Sequence, residues 1–228
     1  DPASIAALPF HAILTPPMNR PISESSYAHA FAWPAPAKLN LFLHVTGRQA
    51  NGYHSLQTVF QFVDFCDSLY FMPRGDGLIR RLGGPGDIAE SQDLTIRAAT
   101  LLKDASGCDL GADIRVEKRI PVGAGLGGGS SDAATTLVAL NHLWNLGFPP
   151  DQLASLGLQL GADVPVFVRG HAAWAEGVGE QLRPLNQLPE DWVLVVTPDV
   201  QVSTGDIFNT PELRRGTPPI TLEDCRAV

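Results

Sequence analysis

The chain has 228 residues, of which 44% are hydrophobic, so it can bury the core of one large or two small domains. Its net charge of −8 lacks the basic surplus of a nucleic-acid-binding protein, and no run of about 18 apolar residues predicts a membrane span. The three cysteines are odd in number and widely spaced, which favours neither a disulfide framework nor a zinc site and predicts a cytoplasmic protein.

Residues 1–33 are predicted to form a disordered N-terminal extension. Residues 1–17 contain four prolines and lack a basic region, so they do not resemble a secretory signal. Met18 is the only methionine before Met72 and is therefore the candidate native start.

The first predicted strand covers residues 37–46, where apolar and other residues alternate strictly. One face is apolar and holds Ala37, Leu39, Leu41, Leu43 and Val45. The other face holds Lys38, Asn40, Phe42 and His44. Alternation alone does not separate a solvated face from a functional one.

A turn follows this strand at Asn51-Gly52, a dipeptide typical of tight turns. The turn places Tyr53 and His54 at the tip of a loop. An aromatic ring beside an imidazole is a plausible binding site for a nucleobase.

The rest of the chain predicts a mixture of strands and helices. Before the middle of the chain we expect an apolar stretch over 56–65, a strand over 68–72, a Gly/Pro turn region over 73–87, a helix over 91–105 and a strand over 112–118. After it we expect helices over 130–146 and 151–160 and strands over 164–168, 171–176 and 192–197. This order lacks regular βαβ alternation and favours an α+β fold over a doubly wound sheet.

The most informative feature is the glycine-rich stretch over 120–133, which precedes the helix predicted over 130–146. Glycines accept positive φ angles and let a ligand approach the backbone closely. The N-terminus of the following helix offers unpaired N–H donors and the positive end of a dipole. The stretch therefore predicts a phosphate-binding loop suited to a nucleotide triphosphate.

Two familiar phosphate motifs do not explain this stretch. Gly123, Gly125 and Gly128 satisfy G-x-G-x-x-G, but residues 145–151 contain two prolines where a dinucleotide fold needs a second strand. Gly129 stands where a Walker A loop requires lysine. A flexible turn that binds nothing remains the alternative, although ordering so many glycines has an entropic cost that binding would offset.

A later segment contains Asp163 between Gly161 and the β-rich run over 164–168. Its residues alone leave two explanations open, because aspartate is common in turns and helix caps as well as in active sites.

The motif P-x-x-x-G-L-G-G-G-S-S over 121–131, followed by an alanine-rich helix, resembles the phosphate loop of the GHMP family of small-molecule kinases. Two other segments resemble one branch of that family: P-A-K-L-N-L-F-L…G-R…N-G-Y-H-x-L-Q-T-x-F-Q-F over 36–62 and G-A-D-V-P-x-F over 161–167. The three segments match in order, and the resemblance covers about residues 34–218.

The resemblance implies a two-lobed GHMP-kinase-like fold with the site in the cleft between the lobes. The nucleotide-binding domain would be complete over 34–170. The substrate-side domain would be present only in part over 171–228, because the family's later G-T-G-A motif is absent.

The activity implied is transfer of the γ-phosphoryl group of ATP, carried with Mg²⁺, to the C2 hydroxyl of 4-diphosphocytidyl-2-C-methyl-D-erythritol in isoprenoid biosynthesis. The catalytic pair implied is Lys38 and Asp163. A carboxylate suits the task of a general base toward an alcohol, and a lysine nearby favours its charged form. Either residue can account for proton handling.

The resemblance assigns the remaining contacts by position. ATP would contact Pro121, Val122, Gly123, Ala124, Gly125, Leu126, Gly127, Gly128, Gly129, Ser130 and Ser131. The substrate would contact Asn40, Tyr53, His54, Thr204 and Phe208, and no residue is assigned to a metal. Gly205-Asp206 departs from the family's pattern and weakens the assignment of Phe208.

The expected partners are the small-molecule substrate and ATP, without nucleic acid or membrane, in a monomer or weak homodimer. Two alternatives stay open: a truncated nucleotide-binding protein without turnover, and a GHMP kinase for homoserine, mevalonate or a sugar. The segment over 51–54 disfavours the second alternative, because those substrates lack a cytidine.

Overall fold

A computed structural model describes residues 31–50, 52–82, 89–186, 188, 191–197 and 204–226. The strands are β1 (Trp33–Arg48), β2 (His54–Arg74), β3 (Ile79–Arg81), β4 (Gly111–Glu117), β5 (Ala173–Glu176) and β6 (Gln181–Pro184). The α-helices are α1 (Leu94–Ser106), α2 (Gly128–Leu143), α3 (Pro150–Leu158), α4 (Val164–Arg169), α5 (Thr204–Asn209) and α6 (Leu222–Arg226), and a 3-10 turn covers Glu90–Gln92. The predicted α+β class is confirmed.

The 21-residue strand β2 organises the sheet. Along one edge it pairs antiparallel with β1. Along the other edge its C-terminal half pairs with β4 and its N-terminal half pairs with β5. The predicted apolar stretch over 56–65 and strand over 68–72 are therefore parts of one strand.

The helices pack against this sheet through one hydrophobic core. The core joins sheet residues such as Leu69 and Ile114 to helical residues such as Leu102, Leu137 and Val166, all of which are buried. The predicted helices over 91–105, 130–146 and 151–160 correspond to α1, α2 and α3 and are confirmed within a few residues at each end.

The strand predicted over 164–168 is wrong, because these residues form helix α4. Pro165 lies in the first turn, where a missing N–H costs nothing, and Gly170 ends the helix with φ 69°. Residues 164–168 are all buried. Burial against the helical layer therefore outweighs the β propensity of Val164 and its neighbours.

The strand predicted over 192–197 is also wrong. Residues 191–197 carry neither helix nor strand, and Trp192, Leu194 and Val196 are strongly exposed. A strand needs a partner edge, and none of the described parts of the chain pairs with this segment.

The alternation of a buried apolar face and a polar face that was predicted for β1 is found only toward the ends of the strand. A bulge between Asn40 and Leu43 adds one residue relative to β2 and shifts the alternation. Ala37 and Val45 are buried, whereas Leu41 and Leu43 are 54% and 43% exposed.

The predicted segment boundaries do not coincide with breaks in the structure. Residues 1–30 lie outside the described residues, but Trp33, the last residue of the predicted extension, starts β1 and is 3% exposed. Strands β5 and β6 lie beyond the boundary predicted at 170 and extend the same sheet.

The packing of α3 on α4 gives a stability test. A Cβ at Gly157 would lie 2.6 Å from Val164 Cγ1, whereas a Cβ at Gly75 would meet no atom within 4 Å. We expect Gly157→Ala to lower the free energy of unfolding by about 1–3 kcal/mol through overpacking, despite the better helix propensity of alanine. Urea unfolding would measure it. Gly75→Ala is the control and should change stability by less than about 0.5 kcal/mol; equal effects would contradict the packing argument.

Candidate active site

Lys38 is held beside the glycine loop by both its backbone and its side chain. Its N–H donates to the carbonyl of Leu126 at 3.0 Å. Its Nζ donates to Asn40 Oδ1 at 2.6 Å and lies 3.4 Å from Asp163 Oδ2. The ammonium also lies 5.5 Å from the centroid of the Phe60 ring, a cation–π distance. Lys38 is 5% exposed, so this charge is buried and paired.

Asp163 occupies the N-cap position of α4, but its side chain makes no capping hydrogen bond. The carboxylate instead faces Lys38, and its side chain is 34% exposed. The explanation of Asp163 as a simple cap is therefore not realised. A carboxylate that is ion-paired on one side and open to a cavity on the other can accept a proton from a ligand.

A residue that the sequence analysis missed completes this network. Asn40 Nδ2 donates to Thr58 Oγ1 at 2.9 Å, and Thr58 donates to the carbonyl of Phe42 at 2.5 Å. Thr58 is fully buried. The bulge in β1 lets Phe42 accept this bond, so only the strand pairing reveals the role of Thr58.

The glycine loop has the backbone that the sequence predicts. Gly123, Gly125 and Gly127 have φ angles of 75°, 75° and 72°, which favour glycine over other residues. Gly127 also caps α2 and makes no side-chain capping bond to the helix N-terminus. The first N–H groups of α2 are therefore available to an anion.

Residues 121–130 line a cavity of about 1050 Å³ together with Lys38, Asn40 and Asp163. Ser131 does not belong to the lining. Its side chain is fully buried, and its N–H donates to the carbonyl of Gly127 at 2.9 Å. The geometry gives no support to the predicted ATP contact of Ser131.

The same cavity is lined by the predicted base-binding residues Tyr53, His54 and Phe208. Tyr53 is 61% exposed. The rings of His54 and Phe208 stack with centroids 5.0 Å apart and an interplanar angle of 26°. Thr204 begins α5, but its side chain lies outside the described part of the structure.

Beneath the loop lies a buried charge cluster that the sequence analysis did not identify. Asp67 Oδ1 accepts hydrogen bonds from the N–H groups of Arg119 and Ile120, and its Oδ2 accepts one from Lys118 Nζ. Lys118 also donates to Asp132 Oδ2 at 2.8 Å. Asp132 Oδ1 has no hydrogen-bond partner among the described residues.

One ammonium therefore serves two buried carboxylates. Asp67 receives three of the hydrogen bonds in this cluster. Burial is the main cause that raises the pKa of Asp132 to about 7, and the pull of Lys118 only partly offsets it. Burial alone would lower the pKa of Lys118, but Asp132 and Asp67 together raise it. Burial therefore favours the protonated form of Asp132.

A second polar group on the cavity wall belongs to the start of α1. Asp93 accepts hydrogen bonds from Thr95 N–H at 2.8 Å and from Arg81 at 2.9 Å. Burial would raise the pKa of Asp93, but these bonds lower it. Asp93, Thr95 and Arg81 all line the cavity, and their scattered sequence positions gave no signal.

No group of three ligating side chains that can hold a metal occurs within the described ranges. Cys66 and Cys108 are free thiols. None of the helices in the described parts of the chain is long and apolar enough to cross a membrane.

This fold, with a glycine loop capping α2 beside a paired lysine and aspartate, is that of the GHMP kinases. The profile of the GHMP kinases N terminal domain matches residues 93–171. The 4-diphosphocytidyl-2-C-methyl-D-erythritol kinase of Nitrosococcus oceani is 61% identical over 86% of the chain and 69% of its own length. The chain belongs to the 4-diphosphocytidyl-2-C-methyl-D-erythritol kinase family.

Two further comparisons agree with this assignment. The enzyme of the same name from Halorhodospira halophila is 57% identical over 86% of this chain and 68% of its own length. A crystal structure of 4-(cytidine 5'-diphospho)-2C-methyl-D-erythritol kinase is 40% identical and superposes with a TM-score of 0.66, covering 80% of this chain and 65% of that one. The chain thus spans about two thirds of the length of these relatives.

The buried cluster predicts a pH dependence of stability. Because the pKa of Asp132 is raised to about 7, the folded state favours the protonated carboxyl. This contribution is complete below about pH 4, the ordinary pKa of aspartate, and is lost as the pH rises through 7. We expect the free energy of unfolding of the native chain to fall, relative to Asp132→Asn, between about pH 4 and 7.

Denaturant unfolding of both chains across this range measures the effect. Asp104→Asn, at an exposed position on α1, is the control and should keep a constant difference from the native chain. A constant difference for Asp132→Asn as well would show that Asp132 stays ionised.

The loop glycine nearest to Lys38 gives a second test. A Cβ at Gly127 would lie 2.8 Å from Phe167 Cζ and 3.2 Å from Lys38 Cε, and its φ is positive. We expect Gly127→Ala to weaken ATP binding about 10-fold, which corresponds to roughly 1.4 kcal/mol of backbone strain and displacement. Calorimetric titration with ATP would measure it.

The matched control is Gly161→Ala, at a position with ordinary φ where the nearest atoms lie at 3.6 Å. ATP affinity should be unchanged in this variant. If Gly127→Ala also bound ATP normally, the loop would not need its left-handed backbone.

Proposed function

We propose that this chain transfers the γ-phosphoryl group of ATP to the C2 hydroxyl of 4-diphosphocytidyl-2-C-methyl-D-erythritol, as a phosphotransferase with an alcohol acceptor. The observation that carries the proposal is the Lys38–Asp163 pair, 3.4 Å apart, in one cavity with the glycine loop and the Tyr53–His54 segment. The names of the similar enzymes support the same substrate.

Asp163 acts as the general base in this proposal. Its open side faces the cavity, so it can accept the proton of the hydroxyl while the phosphoryl group is transferred. Lys38 stabilises the carboxylate and the developing negative charge on the attacking oxygen. Asn40 fixes the position of the Lys38 ammonium and is proposed to contact the erythritol part of the substrate.

The phosphates of ATP bind to the loop over 121–130, where the backbone of glycine leaves N–H groups accessible. Phosphoryl transfer relies mainly on positioning and neutralisation of charge. A Mg²⁺ ion would be held mostly by the phosphates of ATP and by water, since this ion usually keeps several waters and binds through substrate phosphates. When bound, the ion neutralises charge on the phosphate oxygens.

The cytosine ring is proposed to bind between Tyr53 and Phe208, with His54 at its polar edge. Tyr53 is exposed to the cavity and can stack on a base. Phe208 stacks on His54 and lines the same cavity as Tyr53. The contact proposed for Thr204 rests on its position at the start of α5.

The experiment is transfer of labelled γ-phosphate from ATP to 4-diphosphocytidyl-2-C-methyl-D-erythritol in the presence of Mg²⁺. We expect Lys38→Ala and Asp163→Asn each to lower kcat by about 10²–10⁴-fold, the usual contribution of a positioned acid or base. Mevalonate and homoserine should not be phosphorylated.

Asp104→Asn serves as the control for removal of a carboxylate, since Asp104 is exposed on α1 and does not line the cavity. It should keep full activity. If the native chain binds ATP saturably but forms no product, it is a nucleotide-binding protein without turnover. Phosphorylation of mevalonate or homoserine would instead identify a kinase for a different alcohol.

A further inference from the structure

The late segment of the chain lies across strands β1 and β2 and forms one wall of the cavity. Thr217 N–H donates to the carbonyl of Val45 at 3.1 Å. Gln57 Nε2 donates to the carbonyl of Ile220 at 3.1 Å, and Gln57 Oε1 accepts from Ile220 N–H at 2.9 Å. These bonds fix the chain that follows α5, and with it the position of Phe208.

Arg215 connects this segment directly to the base-binding residues. Its Nε–H donates to His54 Nε2 at 3.1 Å. Its terminal nitrogens donate to the carbonyls of Phe208 at 2.8 Å, Thr210 at 2.7 Å and Leu213 at 3.3 Å. The guanidinium of Arg215 therefore holds both the imidazole of His54 and the backbone of Phe208, whose ring stacks on that imidazole.

This contact fixes the protonation of His54. A guanidinium is always charged and has only hydrogen-bond donors, so the ring nitrogen that accepts its hydrogen bond must be unprotonated. The single proton of the neutral imidazole then lies on Nδ1. Partial burial, followed by the charges of Arg215 and Arg48, lowers the pKa of His54 and so favours the neutral ring.

A fixed tautomer has a consequence for the choice of base. With Nε2 occupied, Nδ1–H is the one donor that the His54 ring, which lines the cavity, can offer to a ligand. Cytosine has an acceptor at N3 that can receive the hydrogen bond from His54 Nδ1–H. Uracil carries a hydrogen at N3, so its N3–H and the Nδ1–H of His54 would be two donors facing each other. A site that leaves a polar group unpaired rejects the wrong ligand.

We propose that Arg215 is a positioning residue that selects cytosine over uracil by holding His54 as the Nδ1–H tautomer. The inference rests on the proposed function, because it takes a cytidine-bearing substrate as the occupant of the cavity. Arg215 acts through His54 and Phe208 and has no part in phosphoryl transfer.

The first test does not depend on turnover. Nitrogen-15 chemical shifts of the His54 imidazole in the native chain report which nitrogen carries the proton. We expect the Nδ1–H form in the native chain and in Arg214→Met, which alters the exposed neighbouring arginine. Arg215→Met should lose the preference for that form, and Arg215→Lys should retain part of it. A native His54 protonated at Nε2 would overturn the proposal.

The second test measures recognition. Cytidine 5'-diphosphate and uridine 5'-diphosphate are titrated against each chain, and KM and kcat are measured with the cytidylylated substrate. We expect Arg215→Met to reduce the preference for cytidine about 10-fold or more and to raise KM more than it lowers kcat, as loss of a hydrogen-bonded discrimination requires. An unchanged preference would overturn the proposal.

The two tests separate failure of this inference from failure of the proposed function. A chain that prefers the cytidine nucleotide through Arg215 but transfers no phosphate would contradict only the kinase activity. A chain that transfers phosphate with an unchanged preference after Arg215→Met would contradict only the role of Arg215.

Discussion

The position of the phosphate loop depends on one buried carboxylate, Asp67 of β2. Burial of a charge is costly unless donors surround it, and here the donors are the two backbone N–H groups that precede the loop and the ammonium of Lys118. Lys118 also donates a hydrogen bond to Asp132, which lies near the start of α2. Both ends of a glycine-rich segment are thereby fixed to the central strand and to the helix behind it. The segment between them can keep the unusual backbone that a phosphate ligand requires without becoming a mobile turn.

The other functional groups are connected to this fixed loop by short links. Lys38 reaches it through its own backbone N–H, so the ammonium and the loop are positioned together. The position of Asp163 at the start of α4 is fixed relative to the loop because α4 packs in the same core as α2. The opposite wall of the cavity is formed by the late segment of the chain. Gln57 bonds this segment to the sheet, and the guanidinium of Arg215 bonds to its backbone carbonyls. The nucleotide side is therefore part of the main core, whereas the substrate side rests on hydrogen bonds at its surface.

The structure differs from the predicted elements for physical reasons. Residues 164–168 have the composition of a strand, but Pro165 and Gly170 suit the two ends of a helix, and packing against other helices decided the outcome. The alternation in β1 predicted two regular faces, and a one-residue bulge opposite β2 disrupted them near Asn40. Thr58, Lys118 and Arg215 were missed because each bonds to a distant residue, namely Phe42, Asp67 and His54, at separations of 16, 51 and 161 residues. No local pattern marks such a pair.

The sequence by itself determined the features that depend on local backbone chemistry and on short motifs. These are the glycine loop with the helix behind it, the mixed α+β composition and the family. The resemblance already implied the pair of Lys38 and Asp163, and the tertiary structure supplied its geometry. Only the tertiary structure decided the buried cluster at Asp67 and the hydrogen bond from Arg215 to His54. The reason is that burial and long-range hydrogen bonds set the orientation and charge of a side chain, and both exist only once distant parts of the chain have packed together.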